Sequence, residues 1–257
     1  VGDLQDYETV LQFGRKVDLL TFEIESVNVA ALQQLEKEGK KVYPSAQTLL
    51  QIQDKGVQKT FYKNKNLPTA DFELLETKQD LIDAIDQKRI EFPFVWKACK
   101  GGYDGKGVSV IKSQNDLNKL PDTACIREDL VPFKNELAVI VARNVSGEIK
   151  TYPVVEMEFH PTANQVEYVL SPARISKEVE QKARKVAMQV SKAFKHVGLL
   201  AVELFQTKDN QILINEVAPR PHNSGHFSIE ASFTNQFEQH LRSILDLPLG
   251  DTEQKVA

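Results

Sequence analysis

The stretch FPFVWKACKGGYDGKGVSVIK, residues 92–112, decides the fold of this chain. It reads as strand, glycine-rich loop, strand. Phe94-Val95-Trp96 is a run of β-formers ending at Lys97, and Val108 to Ile111 resumes the pattern. Between them lie Gly101, Gly102, Gly105 and Gly107, with Tyr103, Asp104 and Lys106 interspersed. Glycines let a backbone approach a ligand closely and turn its N–H groups toward phosphate oxygens. A lysine at the end of the preceding strand supplies a point charge to the same phosphates. The loop lacks the Lys-Ser or Lys-Thr close of a Walker A motif. No helix follows it, as a dinucleotide fingerprint requires. A hairpin with a glycine tip is the better reading; an ordinary glycine-rich turn is the plain alternative.

Upstream of the hairpin, Asp80 to Ile90 has helical amphipathicity. Asp54 opens a helix bearing Lys55, Gln58, Lys59, Phe61 and Tyr62, which ends before Leu67-Pro68. Ser45 caps a shorter one. A small α/β lobe is therefore expected over residues 47–121. Before it, Asp6 to Phe13 is helical. Val17 to Ile24 is an apolar run expected to form a strand buried on both faces. Asn28 caps a helix that stops at Gly39, and Lys41 to Pro44 is a second strand. Helix, strand, helix, strand over residues 1–46 reads as the tail of an open α/β sheet. Glu23 and Glu25 fall at the carboxyl end of its first strand, where such sheets bind ligands; solvated strand-end charges are the alternative. The chain opens Val1-Gly2-Asp3 without a methionine and is expected to be a piece of a longer protein.

Downstream, residues 122–250 read as a second lobe, with 251–257 a tail. Strands are expected at Ala124 to Ile126, Glu136 to Asn144, Lys150 to Glu158 and Val166 to Leu170. A long helix follows from Ser176 to about Lys195. Leu200 to Phe205 and Gln211 to Val217 form an antiparallel pair, and Asn235 to Leu245 a last helix. The pair puts Glu203 beside Asn215 and Glu216. Facing carboxylates repel; a divalent cation with oxygen ligands such as Mg²⁺ resolves that, as would salt bridges to Lys or Arg. Ala218-Pro-Arg220-Pro-His222-Asn223-Ser224-Gly-His226 concentrates hydrogen-bonding groups in a proline-stiffened loop, which suggests an anion or sugar-phosphate site. Zinc at His222 and His226 is a second possibility, without a third ligand at matching spacing.

Composition limits the rest. The 257 residues are 41% hydrophobic and 26% charged, with net charge −4. That mild acidity argues against a general nucleic-acid binder. No apolar run reaches membrane-span length, and Cys99 and Cys125 form no metal or disulfide pattern. A reduced, cytoplasmic setting fits. A hairpin over phosphates and acids that hold Mg²⁺ describe a nucleoside triphosphate clasped between two lobes and poised for phosphoryl transfer.

The order of VDLLTFEIE, IQDKGVQKTFY, KGGYDGKG, AVELF, INEVAPRPHNSGH and NQFEQHLRSIL resembles the 5-(carboxyamino)imidazole ribonucleotide synthase family of ATP-grasp ligases, over nearly the whole chain. The resemblance implies an ATP-grasp fold, α/β and α+β, behind the remnant of a Rossmann-like pre-ATP-grasp domain. It implies ATP-dependent carboxylation of 5-aminoimidazole ribonucleotide with bicarbonate in purine biosynthesis, through carboxyphosphate. It further implies a homodimer, with Mg²⁺ (or Mn²⁺) as the metal.

Carried over residue by residue, Lys55, Lys97 and the loop Gly102, Tyr103, Asp104, Gly105, Lys106, Gly107 and Val108 would hold the nucleotide. Lys55 stands where the family usually has arginine. Glu128, Asp129, Leu130 and Val131 would meet adenine and ribose, with Glu136, His160, Asn215 and Glu216 also at the nucleotide. Glu203 and Glu216 match the metal ligands. Tyr103, Asp104, Arg220, His222, Asn223 and Ser224 match the ribonucleotide and bicarbonate site; Tyr103, Asp104 and Arg220 are its catalytic candidates. The family's opening strand and glycine-rich turn would fall before Val1 and its small C-terminal domain after Gly250, so both are expected to lie outside these 257 residues. Another ATP-grasp ligase (a formate-dependent ribonucleotide transformylase or a biotin carboxylase-like protein) is one competing reading. A nucleotide-binding core without turnover is another.

Overall fold

The computed structural model describes residues 2–101, 107–159 and 166–256. Side-chain caps set most helix starts. Asp6, Asn28, Ser45 and Asp54 accept backbone N–H bonds at the heads of α1 (Tyr7–Arg15), α2 (Val29–Lys37), α3 (Ala46–Ile52) and α4 (Lys55–Asn64). These bonds satisfy donors that a helix leaves unpaired at its first turn. Thr77 and Asp80 form a reciprocal capping box on α5 (Lys78–Asp86). Ser176 heads α6 (Lys177–Phe194), α7 is a single turn (Ser228–Ala231), and Asn235 heads α8 (Gln236–Ile244).

The N-terminal unit pairs β1 (Leu19–Leu20) with β2 (Lys41–Val42) in parallel, flanked by α1 and α2. The strand expected over Val17 to Ile24 is thus two residues long, and Ile24 is 45% exposed. A strand lasts only while a neighbour takes its hydrogen bonds, and β2 offers Lys41 and Val42 alone.

A four-stranded antiparallel sheet follows, in the order β3-β6-β4-β5. Its strands are β3 (Phe72–Leu75), β4 (Phe94–Ala98), β5 (Val108–Ile111) and β6 (Cys125–Asp129). Phe94 to Lys97 pair with Ile111 to Val108, so the hairpin expected around the glycine loop is present. Two features depart from the sequence reading. Phe72 to Leu75 is a strand that its pattern did not announce. β6 lies between β3 and β4 rather than in the sheet that follows it. Leu81, Ala84, Ile90, Phe94, Trp96 and Ile111 form this lobe's core.

The large sheet comprises β7 (Phe133–Arg143), β8 (Ile149–Thr151), β9 (Val155–Phe159), β10 (Val166–Leu170), β11 (Gly198–Thr207) and β12 (Ile212–Ala218). Its order is β10-β9-β7-β11-β12, with β8 also on β7. The single strand expected over Lys150 to Glu158 is split at Pro153. Thr151 faces Val141 but Val155 faces Ala138, so the ladder slips by one residue there. On one face of the sheet, Leu137, Val139, Val141, Leu200, Val202 and Leu204 pack against Val179, Ala183, Ala187, Val190 and Phe194 of α6. Each of the valine and leucine side chains fully buried there contributes about 1.5–3 kcal/mol. The opposite face starts apolar, with Ile140, Ala142, Leu199 and Ala201 in the cluster under Phe227 and Leu249. Its other end meets the small lobe. Among the described residues no helix is long and apolar enough to cross a membrane.

Candidate active site

Strand alternation places the acids. On β11, Leu200, Val202 and Leu204 face α6, so Glu203 shares the opposite face with Leu199 and Ala201. On β12, Ile212, Ile214 and Val217 all belong to the α6-side core, which a regular period of two forbids. A β-bulge resolves this. Glu203 pairs with Glu216 and Leu204 with Ile214, leaving Asn215 as the extra residue. The bulge turns Glu216 onto the face that carries Glu203. On β7, Ala138 pairs with Glu203 and Glu136 with Phe205, so Glu136 joins the same face.

Burial and the facing Glu216 push the Glu203 carboxyl well above the usual range. Burial alone would also raise Glu216, but the ammonium groups of Lys55 and Lys97 hold it below its ordinary value. Burial lifts Glu136 to about 7. Asn215 Nδ2 donates to Glu203 Oε2 at 3.5 Å. Among the described residues no three His, Cys, Asp or Glu side chains converge as a closed metal cage. The pair of opposed carboxylates beside an amide oxygen is nevertheless a hard oxygen donor set, which suits Mg²⁺.

The cations come from α4 and β4, outside this sheet. Lys55, in the first turn of α4, ion-pairs with Glu216. Lys97, buried at the end of β4, donates to Asn215 Oδ1 at 2.8 Å and lies 3.1 Å from Glu128 Oε2. Glu128 is itself buried. Its carboxylate is enclosed by Lys97 and by Lys59, whose ammonium lies 3.0 Å from Oε1. Burial would raise the Glu128 pKa, yet the two lysines hold it low. Glu128 thus faces inward, while Asp129 ion-pairs with Arg127 and Leu130 is 39% exposed at the crossing to β7. Val131 is half-buried beside it, and Val108 opens β5 opposite Lys97. Gly107 takes φ +76°, a left-handed conformation that favours glycine, and its carbonyl accepts from Ala98 N at 2.9 Å. Gly102, Tyr103, Asp104, Gly105, Lys106 and His160 lie outside the described residues.

The segment after β12 closes the site on the other side. Arg220 Nε lies 2.7 Å from Glu25 Oε2, which joins the N-terminal unit to the large sheet. The backbone carrying Glu25 is held by Gln53, whose Nε2 donates to the carbonyls of Glu25 (2.6 Å) and Val27 (3.1 Å). His222 Nδ1 accepts from Ser224 N at 3.3 Å, which places the ring proton on Nε2. That Nε2 lies 3.6 Å from Glu203 Oε1. The buried Ser224 hydroxyl is 2.9 Å from Nδ1 and orients the ring, whereas Asn223 is exposed. Gln236 brackets His222: its Oε1 accepts from His222 N at 2.9 Å, and its Nε2 donates to His222 O at 3.0 Å. His226 does not join His222 as a metal ligand. Its ring stacks on Phe237 at a centroid distance of 6.2 Å.

Geometry therefore gathers Lys55, Lys97, Glu136, Glu203, Asn215, Glu216 and His222 at one face, with Arg220 held at its edge. Sequence reading missed Lys59, Gln53 and Gln236. For Lys59 a signal existed, since it lies one helical turn beyond Lys55 on the same face of α4.

The chain matches the family model of the ATP-grasp domain over residues 60–237 and that of the ribonucleotide synthetase preATP-grasp domain over residues 1–53. It is 38% identical to the N5-carboxyaminoimidazole ribonucleotide synthase of Bacillus subtilis over 252 residues, covering 96% of this chain and 65% of that protein. The crystal structure of N5-carboxyaminoimidazole ribonucleotide synthetase from Thermotoga maritima superimposes with a TM-score of 0.87 at 42% identity, covering 99% of this chain and 66% of that one. The Aspergillus clavatus N5-carboxyaminoimidazole synthase, solved with ADP and 5-aminoimidazole ribonucleotide, superimposes with a TM-score of 0.90 at 33% identity, covering 99% and 67%. This chain thus spans about two thirds of the length of these relatives. Two opposed acids on a bulged strand pair, lysines from α4 and β4 and these matches together lead to one conclusion: the chain belongs to the ATP-grasp family, among its N5-carboxyaminoimidazole ribonucleotide synthetases.

Proposed function

We propose that this chain is the core of an ADP-forming ligase that carboxylates 5-aminoimidazole ribonucleotide with bicarbonate. The products would be 5-(carboxyamino)imidazole ribonucleotide, ADP and phosphate. One observation carries the reading. Glu203, Asn215 and Glu216 share a sheet face whose polar atoms are reached by Lys55 from α4 and Lys97 from β4. The relative solved with ADP and 5-aminoimidazole ribonucleotide supports the choice of substrates.

The triphosphate lies between the glycine hairpin and this face. Lys97, already held near the acids, takes a phosphate oxygen. Lys55 exchanges Glu216 for another, and on the family resemblance Gly102 to Val108 would bind them too. Glu203 and Glu216 would hold Mg²⁺, or Mn²⁺ in its place, which when bound would neutralise phosphate charge. On the family resemblance, Glu128 to Val131, Glu136 and His160 would serve the adenosine. A bicarbonate oxygen attacks the γ-phosphorus, the bond to ADP breaks, and carboxyphosphate forms. The exocyclic amine of the ribonucleotide then attacks its carbonyl carbon, releasing phosphate and one proton. Arg220 clamps the anion as a bidentate donor, with Tyr103, Asp104, His222, Asn223 and Ser224 around the ribonucleotide. On the family resemblance, the protein works in the cytoplasm as a homodimer.

Phosphate release from MgATP in bicarbonate buffer tests the assignment. Release that requires 5-aminoimidazole ribonucleotide is expected. Release indifferent to the ribonucleotide would overturn the substrate, and absence of release with ADP still bound would overturn turnover by this core.

A further inference from the structure

Lys59 is an anomaly in a helix that faces a cleft. It is 2% exposed, yet it carries an ammonium group, and nothing in the proposed chemistry calls on it. Burying a charge is costly unless it is fully partnered. Its partners therefore indicate what it does. The ammonium donates to Thr69 Oγ1 at 2.6 Å and lies 3.0 Å from Glu128 Oε1. Thr69 Oγ1 in turn donates to the carbonyl of Ile214 at 2.8 Å. Ile214 is the residue just before the bulged Asn215. Returning the other way, Glu128 Oε2 lies 3.1 Å from Lys97, and Lys97 donates to Asn215 Oδ1 at 2.8 Å.

The contacts close into a ring: Lys59, Glu128, Lys97, Asn215, the Ile214 carbonyl, Thr69 and Lys59 again. It joins α4, β6, β4 and β12, and so crosses twice between the small sheet and the large one. Ile214 N also donates to Pro68 O at 2.8 Å, which pins the Thr69 side of the crossing. Each member is held from two sides. Glu128 shares its charge between two ammonium groups, so neither cation is cancelled and the ring keeps one net positive charge beside the acids. Without Lys59, the whole Glu128 carboxylate is free to collapse onto Lys97 and draw it away from Asn215.

We propose that Lys59 is a positioning residue for Lys97: it splits the Glu128 carboxylate and, through Thr69, keeps the Lys97 ammonium at the junction where nucleotide phosphates bind. The inference rests on the reading of Lys97 as a phosphate ligand. Lys59 touches no substrate. The Glu128 carboxylate that Lys59 holds is turned to Lys97, so the positioning role is expected to act on nucleotide through Lys97, which separates it from a general contribution to the fold or to the electrostatic field.

A double-mutant cycle on ADP affinity in Mg²⁺ buffer, read by calorimetry, tests this. Lys97→Met is expected to weaken ADP strongly. Lys59→Met should weaken it about tenfold in the native background and less than about twofold when Lys97 is already Met. Thr69→Val preserves every charge and removes only the hydroxyl link; it should show the same pattern at about threefold. It serves as the reporter if Lys59→Met melts early. Equal losses in both backgrounds, or no loss from Lys59→Met and Thr69→Val, would overturn the positioning role while leaving Lys97 at the phosphates. Unchanged ADP affinity in Lys97→Met would overturn both the phosphate assignment and the inference built on it.

Discussion

One face of the large sheet has two ends of opposite character. At one end Ile140, Ala142, Leu199 and Ala201 lie under Phe227 and Leu249, with α8 packed on β11 nearby. At the other, Glu136 and Glu203 stand on the same strands a few residues further along, with Asn215 and Glu216 on the neighbouring β12. What differs is the covering element. The apolar end is closed by its own lobe and needs no charge. The acidic end is closed by α4 and the small sheet, which bring Lys55 and Lys97. Carboxylates withdrawn from water require cations, and here they come from elements outside the sheet. The comparison teaches that the site is a junction property: neither sheet alone satisfies its own charges.

Breaking the charged end has the largest expected effect. Glu216→Gln should lower Mg²⁺-dependent ATP turnover about a thousandfold, with circular dichroism unchanged. Turnover near the native rate would remove Glu216 from the metal site. Next, Leu199→Ala at the apolar end, where the side chain is fully buried, should cost about 3 kcal/mol in urea unfolding. It should leave ATP affinity in the folded protein unaltered, and a parallel loss of affinity would mean that the two ends are coupled.

The third prediction concerns pH. His240 on α8 accepts from Leu199 N with Nδ1 (3.2 Å), and its Nε2 lies 2.8 Å from Thr21 Oγ1. Burial lowers its pKa to about 4. An unfolded histidine titrates near 6.5. Between those values the unfolded chain takes up the proton that the folded chain refuses, so stability falls as pH drops. The loss from His240 should reach about 2 to 3 kcal/mol by pH 4. His240→Gln should flatten this limb, although buried His196, lowered to about 3, keeps part of it. Identical slopes in both proteins would refute the assignment. The smallest effect is expected from Thr21→Val, which removes the partner of His240 Nε2. About 1 kcal/mol of stability should be lost, with the ATP dependence of turnover retained. A shifted KM would show that this tie reaches the charged end.

Much of the fold was legible because its signals are local. Asp6, Asn28, Ser45, Asp54, Ser176 and Asn235 cap the helices that they head. The β4–β5 hairpin and the β11–β12 pair were readable from β-formers around turns. Val17 to Ile24 misled because hydrophobicity does not supply a pairing partner, and the strand stops with its neighbour. β6 was assigned to the wrong sheet for the same reason: its partners β3 and β4 precede it by tens of residues. At the site, Glu203 stood out as an acid in an apolar strand. Lys59 did not, because a lysine on a helix ordinarily faces water.

Sequence alone determined which side chains this protein has for its chemistry, and roughly which element bears each one. It placed lysines on α4 and β4, acids on β11 and β12, and glycines in the hairpin between β4 and β5. Tertiary structure decided which way those groups point. A strict alternation along β12 sends Glu216 to the α6 side with Ile212 and Ile214. The bulge at Asn215, set by pairing with β11, sends it to the cleft instead. Register is a relation between two strands, and enclosure a relation between two lobes. Neither is a property of any stretch read by itself.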